Sequence, residues 1–160
     1  MKTLIITKDM VDNNGLYIGP ENVADFDGNI EISANLGFVA FSGSISVKGF
    51  LRALFGTGIK AGLGIEAGSG IEAGEGIKAG WGIEAGWGIE AGLSVTAAYV
   101  ACKLRVFVGL CAWRIPDQSE CEIHADLRSG TLAFGTHVPP SNLAKREFLK
   151  PLLREREDLP

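Results

Sequence analysis

The sequence predicts an all-β protein: a β-solenoid (β-helix) of short strands with an N-terminal strand cap and a C-terminal amphipathic helix. Three observations favour this fold. Glycine supplies 22 of the 160 residues and proline only 6, so the glycines indicate a geometric role and not a collagen or a Pro-rich disordered chain. Six consecutive hexapeptides fill residues 58–93. Looser versions of the same apolar alternation flank this repeat on both sides.

The repeat reads GIKAGL, GIEAGS, GIEAGE, GIKAGW, GIEAGW and GIEAGL. A lysine or glutamate always stands between the isoleucine and the alanine, so a strand would place both apolar side chains on one face and the charge on the other. A helix is excluded because two glycines in every six residues would cost it about 1 kcal/mol each. We expect the Gly-x-Gly segments to turn the chain, either through positive φ angles or at corners too tight for a Cβ.

The last position of each hexapeptide varies, and its residues are Leu63, Ser69, Glu75, Trp81, Trp87 and Leu93. A position that accepts Ser, Glu and Trp is not a close-packed interior site, so it is predicted to lie at an outward corner. Exposed tryptophans on a stiff scaffold are typical of binding hot spots. The predicted protein-binding residues are Trp81, Trp87, Glu66, Glu72, Glu84 and Glu90.

The sequence leaves the number of residues per coil open. Equivalent residues of adjacent coils would stack about 4.8 Å apart. A coil of eighteen residues would stack Lys60 on Lys78 and give like charges in every column, whereas a coil of twelve would make three of four neighbours opposite in charge. Room for isoleucine in the interior favours the longer, three-sided coil.

The chain divides into an N-terminal cap at 1–28, the solenoid at 29–134, and a linker and helix at 135–160. The cap is expected to combine a strand at Thr3–Thr7 with the turn Asp12–Gly15, because exposed strand edges at a solenoid end would recruit other chains.

An apolar stripe among charged residues predicts the C-terminal amphipathic helix at 141–159. Pro151 is expected to kink this helix. The helix either covers the last coil of its own chain or crosses to another subunit in a small homo-oligomer. Its predicted oligomerisation contacts are Phe148, Leu149, Leu152 and Leu153.

Composition excludes several classes of protein. A net charge of −4 and a pI near 5.2 argue against direct nucleic-acid binding, which needs a basic face. The sequence has no apolar run long enough to span a membrane and no secretory signal. Cys102, Cys111 and Cys121 are an odd number without close pairing. We therefore expect a soluble cytoplasmic protein with reduced thiols.

Catalytic and metal-binding patterns are missing from the sequence. The glycine spacing gives no phosphate-binding loop. Strand alternation places Cys121 inward and His124 outward, so we expect no zinc site and no cofactor. The paired acids of the repeat are equivalent, whereas acid–base catalysis needs two carboxyl groups in unlike environments. A hexapeptide-repeat enzyme, such as the trimeric acyltransferases, is therefore the least favoured interpretation.

The GIEAGW run resembles the glycine-rich hexapeptide-repeat β-solenoid proteins of bacteria and their phages, and more distantly the bactofilins, which polymerise through solenoid ends. The resemblance covers about residues 29–134. It implies a phage-type inhibitor of a bacterial defence complex, such as an anti-CRISPR protein, which acts in the host cytoplasm on a nucleic-acid-binding protein complex by steric blockade or by imitating DNA. The likeness to bactofilins implies a self-assembling scaffold instead.

Overall fold

The structure is a computed structural model that describes residues 1–140. The predicted helix at 141–159, with its contacts Phe148, Leu149, Leu152 and Leu153, lies outside the described residues. Within them, fourteen strands form one sheet, and two short 3-10 helices span Lys8–Met10 and Gln118–Cys121. All paired strands are parallel and the sheet is curled. The prediction of an all-β fold is confirmed.

The strands are β1 (Lys2–Ile6), β2 (Gly28–Ile32), β3 (Gly37–Phe41), β4 (Ile45–Val47), β5 (Leu51–Ala53), β6 (Thr57–Ala61), β7 (Ile65–Ala67), β8 (Ile71–Ala73), β9 (Ile77–Ala79), β10 (Gly82–Ala85), β11 (Ile89–Ala91), β12 (Val95–Val108), β13 (Glu122–Phe134) and β14 (Thr136–Val138).

Pairing sorts the strands into three series of parallel neighbours. The first series contains β3, β6, β9 and the start of β12. The second contains β4, β7, β10 and the middle of β12. The third contains β1, β2, β5, β8, β11 and the end of β12. Strand β13 lies beside β12 in all three series, and β14 pairs with the start of β13. From β3 onward, consecutive short strands belong to successive series, so the chain returns to each series in turn.

The register inside the repeat is eighteen residues, since Ile65 pairs with Ile83 and Ile71 with Ile89. This register places like charges beside each other, as in the pair Lys60 and Lys78. Of the two spacings that the sequence leaves open, the register therefore matches eighteen residues and not the twelve that the charges favour. Burial outweighs the charge argument, because every repeat isoleucine is at most 1% exposed, and a buried isoleucine contributes about 1.5–3 kcal/mol, against roughly 0.2–1 kcal/mol for a charged pair across strands.

One hydrophobic core collects the inward side chains of all three series. The repeat isoleucines are buried, their alanines are buried or nearly so, and the charged residues between them are exposed, as the alternation predicts. The glycines of the repeat turn the chain without positive φ angles; among the described residues, such angles occur at Asn35 and at glycines outside the repeat. A Cβ on Gly86 would lie 1.9 Å from the carbonyl oxygen of Gly68, and one on Gly92 would lie 2.1 Å from that of Gly74. Close approach of neighbouring backbones is therefore what requires glycine here.

The N-terminal segment lies along the first strands of the sheet. The predicted turn is present: Asp12 Oδ1 accepts hydrogen bonds from the backbone N–H groups of Asn14 (2.8 Å) and Leu16 (2.9 Å). Parallel bridges then join Leu16 to Ala40 in β3 and Phe26 to Val47 in β4, which occupies part of the outer edges of those strands. None of the helices in residues 1–140 has the length and apolar character needed to cross a membrane.

Candidate protein-binding face

The register stacks the outward side chains of the third series into one row. We call this the third-series row; its members are Ile5, Glu31, Arg52, Glu72, Glu90, Phe107 and Phe134. At about 4.8 Å per strand the row is roughly 29 Å long. It places acidic, basic and aromatic side chains on one parallel sheet surface.

The outward rows of the other two series differ from it in charge. The first series aligns Lys60 and Lys78 with Thr96 and His124, while the second aligns Glu66 with Glu84. The four predicted binding glutamates therefore do not form one array. Glu66 and Glu84 lie in the second series, and Glu72 and Glu90 lie in the third. The eighteen-residue register causes this division, because neighbouring hexapeptides always fall in different series.

Trp81 and Trp87 are exposed, at 66% and 64%, as predicted. Of the other variable positions of the repeat, Leu63 is exposed and Ser69, Glu75 and Leu93 are half-buried. The two tryptophans stand at different corners. Trp81 lies between β9 and β10, where its backbone N–H donates to the Leu63 carbonyl at 3.1 Å. Trp87 lies between β10 and β11, where its N–H donates to the Ser69 carbonyl at 3.1 Å. Trp81 therefore borders the first and second series, and only Trp87 borders the third.

Trp87 lines a groove of about 490 Å³ on the face of the third series. We call it the Trp87 groove. Its apolar lining includes Phe50, Leu104 and Phe107 beside Trp87, and its charged side chains are Arg52, Glu72, Glu90 and Arg105. The groove thus brings together three residues that the sequence indicated, Trp87, Glu72 and Glu90.

Arg52 is held on both sides within this face. Its Nε donates to Glu72 Oε2 at 3.1 Å, and its Nη1 lies 3.9 Å from Glu31 Oε2. Its guanidinium carbon also lies 4.8 Å from the centre of the Phe50 ring, within the range of a cation–π contact. Arg52 is therefore a guanidinium placed between two carboxylates and against an aromatic ring.

Glu90 follows Glu72 in the third-series row. Partial burial raises the pKa of Glu90, and the negative charge of Glu72 on the adjacent strand raises it further. Among the described residues, no basic group forms a salt bridge with Glu90. The carboxylate is thus left beside a like charge on one side and Phe107 on the other.

Glu84 in the second series is held within the chain. The Tyr99 hydroxyl donates to Glu84 Oε1 at 3.1 Å, and the Arg128 guanidinium lies 3.8 Å from the centre of the Tyr99 ring. Burial first, and then the hydrogen bond to Glu84, raise the pKa of Tyr99. Glu84 is therefore less available to a partner than Glu90, although the two occupy the same position of the hexapeptide.

Sequence reasoning missed Phe50, Arg52, Leu104 and Phe107. These residues lie outside the repeat, where the register between paired strands is no longer eighteen: Arg52 pairs with Glu72 and Glu90 with Phe107. It also missed the loop between β12 and β13, where Trp113 packs edge-on against Phe55 with ring centres 4.7 Å apart. No regular spacing signals these positions.

The cysteines and histidines are spread over separate surroundings. Cys102 is buried, which raises the pKa of its thiol. Ile123 is buried and His124 exposed, as predicted, and His124 Nε2 lies 2.8 Å from Glu122 Oε2. Cys121 is half-buried and ends the 3-10 helix Gln118–Cys121, so it is not part of the strand whose alternation predicted an inward side chain. Residues 1–140 contain no group of three His, Cys, Asp or Glu side chains arranged to hold a metal ion.

The chain matches no protein-family model, and no curated protein or solved structure matches it either.

Proposed function

We propose that the curled sheet is a three-sided β-solenoid of eighteen-residue coils, and that the protein is a non-enzymatic module that binds and blocks a protein partner through the face of the third series. Two observations support the winding. The chain returns to the same series after eighteen residues in the repeat, and the inward side chains of all three series belong to one core.

The proposed binding function rests on the Trp87 groove. An indole that is 64% exposed lies beside Phe50, Leu104 and Phe107 on a surface of hydrogen-bonded strands. Aromatic side chains dominate binding hot spots, and a rigid scaffold loses little entropy when it docks. A groove of mixed apolar and charged lining at a sheet surface fits a protein partner better than it fits a nucleic acid.

Steric blockade is favoured over imitation of DNA as the inhibitory mechanism. The glutamates are divided between two series, Arg52 interrupts the third-series row, and Lys60 and Lys78 form a basic row of their own. Such a surface lacks the continuous negative charge of a phosphate backbone. The most concrete form of the proposal, a phage-type inhibitor of a bacterial defence complex, rests on the resemblance of the repeat.

Self-assembly is the second candidate. Within the described residues, β1 has a partner strand on one side only, and so does β14 at the opposite end of the sheet. Unpaired parallel edges at both ends would allow copies to stack end to end. Light scattering separates the two candidates, because end-to-end stacking would give a mass that grows with concentration.

The binding proposal is tested by capture of a partner from a bacterial lysate with the wild type and with variants. We expect Trp87→Ala to lower retention of the partner about tenfold or more, as expected for a hot spot. The double variant Trp81→Ala/Trp87→Ala should lose more than the double variant Glu84→Gln/Glu90→Gln. Circular dichroism should show an intact fold in each case, because both tryptophans are mostly exposed.

Trp81→Ala is the matched control, since it removes an equally exposed indole from a different corner. Retention of no partner by the wild type would sink the binding proposal and favour self-assembly. Equal losses in the two single tryptophan variants would place the interface elsewhere than the Trp87 groove.

A further inference from the structure

Arg52 shows how this face binds a guanidinium group. Two carboxylates, those of Glu31 and Glu72, lie on either side of it along the third-series row, and the Phe50 ring lies beneath it. A guanidinium suits this arrangement because its planar fork of donors can face carboxylates on two sides while it stacks on an aromatic ring. The arrangement is therefore a guanidinium site that the chain fills with its own side chain.

The next two members of the row are Glu72, which already accepts a hydrogen bond from Arg52, and Glu90, which forms no salt bridge among the described residues. Glu72 and Glu90 are directly paired on adjacent strands, so their carboxylates repel each other. The aromatic side chains Trp87 and Phe107 line the same groove. The groove thus offers carboxylates and aromatic rings together, which is the chemistry that surrounds Arg52.

We propose that the Trp87 groove binds an arginine side chain of the partner protein, with the guanidinium against the Trp87 indole and hydrogen-bonded to Glu90. This rests on the proposed function and names the chemistry of the partner. Charge-assisted hydrogen bonds to a carboxylate and a cation–π contact are both stronger when the groups are partly desolvated. Glu90 lines the groove with Trp87 and Phe107, so these aromatic side chains would shield a guanidinium bound there from water on one side.

Arg105 lines the same groove and gives the proposal a discriminating variant. It is exposed, and no salt bridge joins it to an acidic group among the described residues. An anionic ligand would need Arg105, whereas an arginine ligand would be repelled by it. Arg105→Gln should therefore leave arginine binding unchanged or tighter.

The test is a titration of the protein, without its partner, by N-acetyl-arginine amide. The readout is the NMR signal of the Trp87 indole N–H, assigned through the loss of that signal in Trp87→Phe. The matched probe is N-acetyl-citrulline amide, which has the shape of arginine without its charge. We expect a saturable shift of the Trp87 signal with arginine, a much smaller one with citrulline, and about tenfold weaker arginine binding in Glu90→Gln, the size of one lost charge-assisted hydrogen bond.

Glu84→Gln is the control variant, because it removes the equivalent carboxylate of the second series. The proposal is overturned if arginine and citrulline shift the signal equally, if Glu90→Gln binds arginine as well as the wild type, or if Arg105→Gln abolishes binding. Each of these outcomes leaves the proposed function standing as long as Trp87→Ala still loses the partner. If arginine shifts the Trp87 signal but the wild type retains no partner, the proposed function fails while the arginine site stands.

Discussion

The second glycine of each hexapeptide lies where the backbone of the adjacent strand in its series passes closest. At Gly62, Gly68 and Gly80 the nearest atom to an added Cβ is a backbone carbonyl oxygen between 2.1 and 2.4 Å away. The first glycine is less restricted at some positions, such as Gly64, where the nearest atom is 3.5 Å away. The two glycines of the motif therefore have different roles, although the sequence repeats them alike.

This difference predicts a large loss of stability for one alanine substitution and a small change for another. Gly86→Ala would force a Cβ against the backbone of Gly68, so we expect a loss of about 1–3 kcal/mol in the free energy of unfolding, as for an overpacked site. Gly64→Ala has ordinary contact distances and should change stability by less than about 1 kcal/mol, with the smaller entropy of the unfolded chain in its favour. Urea denaturation of both variants measures the difference; equal losses would contradict the close-approach account.

The contributions of Glu90 and Glu120 to the stability of the fold should change with pH in opposite directions. Burial and then Glu72 raise the pKa of Glu90, so its charge destabilises the fold at neutral pH and the penalty disappears as the pH falls below the ordinary glutamate value. Arg114 holds Glu120 by two hydrogen bonds of 2.8 and 2.5 Å and lowers the pKa of that carboxyl from 4.5 to about 2. That stabilisation is complete above pH 4.5 and is lost as the pH falls through about 2.

At pH 7 we therefore expect Glu90→Gln to raise the urea midpoint and Glu120→Gln to lower it. The Glu90→Gln difference should shrink as the pH is lowered below 4.5, since the wild-type carboxyl is then neutral in both the folded and the unfolded states. Two midpoints that move in the same direction at pH 7 would contradict this account of the two carboxyl groups.

At the scale of elements, the short strands of the repeat could be predicted because period-two alternation and paired glycines fix both their length and their inward face. The inward Ile and Ala of β7 and β8 follow directly from the hexapeptide. The third-series row could not be predicted, because it depends on registers of twenty residues between β5 and β8 and seventeen between β11 and β12. Relative to the repeat, the first register is two residues longer and the second one residue shorter, and neither change alters the alternation within a strand.

The loop between β12 and β13 follows no period at all. Trp113 packs on Phe55, while Ile115 is 94% exposed. Asp117 begins the 3-10 helix Gln118–Cys121 with a capping box in which Glu120 takes part. The contact between Trp113 and Phe55 joins this loop to the connection between β5 and β6. Strand alternation does not predict such a contact between distant parts of the chain.

At the scale of the whole molecule, the eighteen-residue register turns one repeated motif into three chemically different faces. Neighbouring hexapeptides fall in successive series, so the order Lys60, Glu66, Glu72 followed by Lys78, Glu84, Glu90 gives a basic row, an acidic row and a mixed row. Like charges meet within each row, at a cost smaller than the gain from burying the isoleucines. The binding proposal depends on this winding, because only this register joins Trp87, Glu72 and Glu90 on one face.

The measurement that tests the winding most directly is disulfide formation between engineered cysteines, in a variant whose native Cys102, Cys111 and Cys121 are alanine. Eighteen-residue coils pair Glu66 with Glu84 on adjacent strands, at a spacing of about 4.8 Å that suits a disulfide. Mild oxidation should therefore link Glu66→Cys/Glu84→Cys and leave Glu66→Cys/Lys78→Cys reduced, as read by peptide mapping with mass spectrometry. Efficient linking of 66 to 78 without linking of 66 to 84 would contradict the winding and the binding face built on it.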